Sequence, residues 1–141
     1  MELMIEFQEA YKRLDRLCRD CFQSRDGVSE YIRQMEGTPF EHRMYVNNWN
    51  SAYKQLKHVR WVRNQLAHEV GAYESGILTD EDLDFVLDFH GSIINREDPL
   101  ALVYQYRHVK FEVEEPKVEE SSPKKSGLFF RIKEWLRSLF S

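Results

Sequence analysis

The sequence predicts an all-α fold: an up-and-down bundle of four to five helices, then a linker and a C-terminal amphipathic helix. Apolar side chains recur every three or four residues through most of the chain, the spacing of one face of an α-helix. The 141 residues include only six glycines and four prolines, too few for the many turns of an all-β fold. With 42% hydrophobic residues, the chain can bury one compact core. We therefore expect a bundle over 1–109, a linker over 110–126 and a helix over 127–141.

The first two helices are predicted over 2–22 and 28–36. The stripe of the first helix is Leu3, Phe7, Ala10, Leu14, Leu17 and Cys21. The polar stretch "QSRDG" separates the two helices, and Gly37 ends the second.

A long third helix is predicted over about 40–70, with Gly71 marking its end. Its apolar stripe is Trp49, Ala52, Leu56, Val59, Arg63, Leu66 and Val70. One of these positions holds an arginine, the most permanently charged side chain. Two readings remain open: Arg63 pairs with a carboxylate or extends past the core as a structural residue, or it serves a functional site.

Two helix starts follow in the sequence. Thr79 and Asp82 have the spacing of a capping box, which predicts the start of a fourth helix. Asp98 followed by Pro99 predicts a cap and a first-turn proline for a fifth helix through about residue 108.

The net charge of −4 excludes general phosphate binding driven by bulk charge, so a role with nucleic acid requires a local site. The sequence contains no run of about 18 apolar residues that could span a bilayer as a helix. Its N-terminus lacks the pattern of a signal peptide. We expect a cytoplasmic protein, held peripherally at a membrane if the C-terminal helix binds lipid.

The stretch "RNQLAH", Arg63 to His68, carries a motif. Asn64 and His68 are four residues apart and share a helix face, whereas Arg63 and His68 point in different directions on one straight helix. Helix distortion, long side-chain reach or a two-fold dimer would bring them together. A histidine pair at a two-fold axis would supply a base and an acid.

This stretch resembles the R-N-x-x-x-H signature of the HEPN superfamily of helical domains. The resemblance implies a homodimer with both motifs at the interface, and a metal-independent endoribonuclease in a toxin–antitoxin or phage-defence setting, with an antitoxin as a further partner. It implies that Arg63, Asn64 and His68 are the catalytic residues and that no cofactor or metal is needed. Lys57 and Arg60 on the same helix would guide the phosphates of an RNA substrate, or they are simply solvated.

A second function remains open: a non-catalytic HEPN-like dimeric adaptor, recruited by its C-terminal helix. In that helix the apolar side is Leu128, Ile132, Trp135, Leu136, Leu139 and Phe140. Phe129 and Phe130 are further aromatic residues that some surface must cover, and basic side chains occupy the other side. Such a helix binds a membrane surface, docks into a partner's groove or folds back on its own bundle.

The "CRDC" stretch holds the only two cysteines, Cys18 and Cys21. A structural zinc site has four ligands, and the sequence has no second pair of cysteines to complete one. We expect both cysteines in the core.

Overall fold

The structure is a computed structural model that describes residues 2–68 and 76–114, with side chains through Arg107. Within these residues the fold is all-α. The helices are α1 (Glu2–Phe22), α2 (Val28–Glu36), α3 (Phe40–Arg43), α4 (Trp49–His68), α5 (Asp80–Ile94) and α6 (Pro99–Glu114). The predicted bounds of the first two helices are confirmed. None of the described helices is both long enough and apolar enough to cross a membrane.

Four helices enclose the core. α1 packs against α2 and α5, and α4 packs against the same two helices, while α6 packs on α2 and α3 packs on α6. The largest fully buried side chains include Phe7, Leu14, Tyr31, Ile32, Met35, Leu56, Val62, Val86 and Ile93. Every one of the four enclosing helices therefore contributes its apolar face to one shared core.

The predicted helix starts are confirmed by hydrogen bonds. Thr79 Oγ1 accepts from the backbone of Asp82 at 3.2 Å, and Asp82 Oδ2 accepts from the backbone of Thr79 at 3.0 Å. Asp98 Oδ2 accepts from the backbone of Ala101 at 3.3 Å, and Pro99 is the first residue of α6.

The single long helix predicted over 40–70 is wrong at its N-terminal part, where the chain forms α3, a turn and then α4. The turn is closed by backbone bonds from Val46 to Arg43 and from Trp49 to Val46. Asn47 and Asn48 supply the reason, because asparagine competes for backbone hydrogen bonds and disfavours a helix interior. Residues 69 and 70 lie outside the described part of the chain.

The linker also begins later than predicted, because α6 continues through residues 110–114. α6 is described as helix through Glu114. The remainder of the predicted linker, residues 115–126, lies outside the described residues.

The start of α2 is fixed by α1. Asp15 Oδ1 accepts a hydrogen bond from the backbone nitrogen of Val28 at 2.9 Å. Gly27 lies directly against Asp15, so closely that a Cβ at position 27 would overlap the Asp15 backbone oxygen. Glycine is required here by the close approach of two backbones.

Candidate functional site

The motif residues lie in the last turns of α4. Arg63, Asn64 and His68 are all exposed. α4 carries four Lys or Arg side chains and no Asp or Glu over its 20 residues, although the whole chain is acidic. This helix is therefore locally cationic in a protein of opposite net charge.

The prediction that Arg63 occupies the apolar stripe of α4 is wrong. Val62 is the buried residue at this level of the helix, with 0% exposure, and Leu66 is partly buried one turn later. On an ideal helix Arg63 lies near the centre of the predicted stripe and Val62 lies well to one side, so the spacing alone favours the arginine. Packing selects the valine, because burying it costs no charge desolvation.

Arg63 lies instead at the edge of the core, over an aromatic ring of α1. Its guanidinium carbon is 5.5 Å from the centroid of Tyr11, a cation–π distance. Its Nη1 donates to Asn64 Oδ1 at 3.2 Å. Burial, and secondarily Asp15, raises the pKa of Tyr11 well above its usual range, while Arg63 opposes that rise. Arg63 is thus oriented by two uncharged partners and stays open to solvent.

The structure brings Arg63 and Asn64 together, and places His68 one helical turn beyond Asn64. Asn64 and His68 share a face, as predicted from their spacing. Arg63 and His68 point in different directions on this continuous helix, so one chain does not bring the guanidinium and the imidazole onto one face. A guanidinium, an amide and an imidazole suit the binding of a phosphodiester and the movement of a proton where a second chain brings them together.

Lys57 and Arg60 differ in their surroundings. The Nζ of Lys57 is exposed and lies 4.4 Å from the ring centroid of Tyr53. Arg60 is half-buried, and its Nη1 donates to Ser29 Oγ on α2 at 3.0 Å. Lys57 can reach a ligand, whereas Arg60 also holds α4 against α2.

The structure contains a second polar pair that the sequence does not indicate. His58 Nε2 lies 3.2 Å from Asp82 Oδ1, in a groove of about 520 Å³ between α4 and the start of α5. The Trp61 ring lies beside His58, with centroids 6.0 Å apart. Asp82 is recognisable in the sequence only as part of a capping box, and no local pattern joins it to His58, because the pair exists only once α4 and α5 pack.

The two cysteines are confirmed as core residues. Both are free thiols, with exposures of 0% for Cys18 and 2% for Cys21. Burial is the main reason that the pKa of Cys18 is well above its usual value, and it raises the pKa of Cys21 to about 12. Within the described residues, no three His, Cys, Asp or Glu side chains converge to hold a metal ion.

The residues predicted to bind a membrane or partner, from Leu128 to Phe140, lie outside the described part of the chain. No curated protein and no solved structure matches this chain. A family model does match it, that of a family of unknown function (DUF6548), over residues 5–132. That match spans most of the bundle and the sequence after it, so the chain belongs to the family of unknown function DUF6548.

Proposed function

We propose that the protein is a HEPN-like, metal-independent endoribonuclease that works as a homodimer in a toxin–antitoxin or phage-defence setting. The observation that carries the proposal is the exposure of Arg63, Asn64 and His68 together at the end of a helix that has four cations and no carboxylate. A carboxylate on this face would repel a phosphodiester, and none is present on α4.

The surroundings of Arg63 support a functional role over a purely structural one. A structural arginine that pairs with a carboxylate has its charge neutralised by that partner. Arg63 contacts the Tyr11 ring and the Asn64 amide instead, which orient the guanidinium and leave its positive charge for a ligand. A guanidinium held in this way suits the two non-bridging oxygens of a phosphate.

The proposed reaction uses two histidines, one from each chain of the dimer. His68 of one chain takes the proton of a ribose 2′-hydroxyl, and that oxygen attacks the adjacent phosphorus. The bond from phosphorus to the 5′-oxygen breaks, and His68 of the second copy protonates the leaving oxygen. The products are a 2′,3′-cyclic phosphate and a 5′-hydroxyl. Arg63 stabilises the additional negative charge on phosphorus in the transition state, and Asn64 orients Arg63 or the phosphate.

The test is cleavage of an end-labelled RNA by the purified full chain in EDTA, with wild type beside His68→Ala and His58→Ala. His58 is the matched control, because it is a second exposed histidine on α4 with a different neighbour, Asp82. The expected result is cyclic phosphate ends from wild type and His58→Ala, and their loss in His68→Ala.

Two results would overturn the proposal. One is the absence of cleavage by protein shown by light scattering to be a dimer and by circular dichroism to be helical. The other is equal cleavage by His68→Ala, which would identify a contaminant or another site. The first result would favour the non-catalytic adaptor.

A further inference from the structure

The short helix α3 and the two residues that follow it present an exposed apolar surface. Phe40 is 74% exposed, Met44 59% and Tyr45 55%. Tyr106 of α6 stacks on Tyr45, with ring centroids 3.9 Å apart and planes 19° apart. We call these four residues the α3 patch. Large apolar side chains exposed side by side in a water-soluble protein mark a surface that binds something.

The α3 patch is held firmly in place although α3 buries none of its own side chains. Arg43 donates from Nε to the carbonyl of Thr38 at 2.7 Å and from Nη2 to that of Glu36 at 3.0 Å. The Arg43 guanidinium also lies 5.8 Å from the centroid of the buried Trp49 ring. The exposure of the patch is therefore a consequence of how the chain is anchored, and it persists in the folded protein.

We propose that the α3 patch is the docking site of this chain's own C-terminal segment, residues 128–140. The segment contains Leu128, Phe129, Phe130, Ile132, Trp135, Leu136, Leu139 and Phe140. These side chains need a surface that covers them. The proposal selects one of the three alternatives that the sequence leaves open, and it does not depend on ribonuclease activity.

The length of chain after α6 permits this docking. α6 runs from its contact with the patch at Tyr106 to Glu114, a rise of about 12 Å. Residues 115–127 reach about 43 Å at most when fully extended, more than enough to return over that distance. The segment is tethered, so its effective concentration at the patch is on the order of millimolar, well above that of a separate partner.

Two further observations support docking within the same chain: the charges of the segment and the patch, and the residues that the family match covers. Arg131, Lys133 and Arg137 lie among the apolar residues of the segment, while the exposed Glu41 directly follows Phe40 in α3. The family match runs without interruption to residue 132, so the family unit includes the connection and the first part of the segment together with the bundle.

The test is site-specific photocrosslinking in the full chain, with benzoylphenylalanine at position 40 and peptide mapping by mass spectrometry. Leu87 on α5 is the matched control position, because it is also apolar and exposed, at 45%, outside the patch. The expected result is crosslinks from position 40 to residues 128–140 within one chain, and none to that segment from position 87.

A second measurement does not rely on the probe. Hydrogen exchange of amides 128–140 is expected to become faster by about tenfold or more in Phe40→Ser/Met44→Ser, and to stay unchanged in Leu87→Ser. Circular dichroism verifies that both variants remain folded.

Three outcomes would overturn the proposal. Crosslinks that join two chains through position 40 would assign the patch to a second copy. Co-sedimentation of wild type, but not of a chain ending at residue 126, with anionic phosphatidylserine vesicles, combined with no crosslink to 128–140, would assign the segment to a lipid surface. Exchange of 128–140 at the rate of an unprotected chain in wild type would show that nothing covers the segment.

Discussion

The hydroxyl of Tyr31 donates a hydrogen bond to the carboxylate of Asp98, and both residues are buried. The same hydroxyl accepts from the backbone nitrogen of Leu100 at 3.0 Å. One side chain of α2 therefore fixes the first turn of α6, sixty-seven residues away along the chain. Burial raises the pKa of Asp98, although its hydrogen bonds with Tyr31 and Ala101 act in the opposite direction.

Asp98→Asn is expected to remove a pH dependence of stability. A carboxyl whose pKa is raised in the folded state stabilises the protein most when protonated, and that contribution is lost as pH rises through the folded-state pKa. The difference in free energy of unfolding, Asp98→Asn minus wild type, should therefore be larger at pH 7 than at pH 4. Urea titrations at both pH values measure this difference, in which the other carboxylates cancel.

Asp98→Ala is the control for that comparison. It leaves the buried Tyr31 hydroxyl without its acceptor, so it should destabilise at both pH values, by about 1–3 kcal/mol. If Asp98→Asn has the same relative stability at pH 4 and pH 7, Asp98 does not titrate differently in the folded and unfolded states.

Gly27→Ala is expected to destabilise the fold by about 1–3 kcal/mol, because the added methyl group would force the start of α2 away from Asp15. Gly91→Ala is the matched control. A Cβ at Gly91 meets nothing within 4 Å, and Gly91 lies inside α5. The control should be stabilised by about 0.5–1 kcal/mol. Urea unfolding compares the two, and equal effects would mean that the contact between Gly27 and Asp15 is not a constraint.

Local patterns in the sequence predicted most helix boundaries. The bounds of α1 and α2 and the caps at Thr79 and Asp98 depend on neighbouring residues, so they were readable without a tertiary structure. The break before α4 was not predicted, because the apolar stripe begins at Trp49 and does not test whether residues 40–48 continue the same helix. Two consecutive residues of moderate helix propensity decide such a break, and spacing does not report it.

The sequence predicted which residues belong to the candidate site but not how they are arranged. The motif located Arg63, Asn64 and His68 on one helix, and the structure adds that all three are exposed. The angular position of Arg63 suggested burial, while its neighbour Val62 takes that place. Helical angles indicate which side of a helix is apolar, and only packing against the other helices of the bundle determines which of two neighbours is covered. The pair His58–Asp82 needs tertiary structure altogether.

The thiols of Cys18 and Cys21 are expected to be unreactive in the folded protein. Only the thiolate reacts, and the raised pKa of each leaves almost none of it at pH 8. Titration with Ellman's reagent should show no rapid reaction in buffer and two thiols per chain in urea. Ser51→Cys, at an exposed position of α4, is the positive control. Rapid reaction of a native cysteine would show that the α1 core opens readily.

A mixed dimer tests whether the proposed site is shared between two chains. If one His68 serves as the base and the second copy's His68 as the acid, a dimer of wild type with His68→Ala has no complete site. The heterodimer, purified through two different tags, should retain no cleavage of labelled RNA. If each chain holds an independent site, the heterodimer retains about half the wild-type rate. A heterodimer of wild type with His58→Ala controls for tags and purification, and should cleave like wild type. Half the wild-type rate in the heterodimer with His68→Ala would therefore mean that His68 takes part in catalysis but that each chain acts without a residue from its partner.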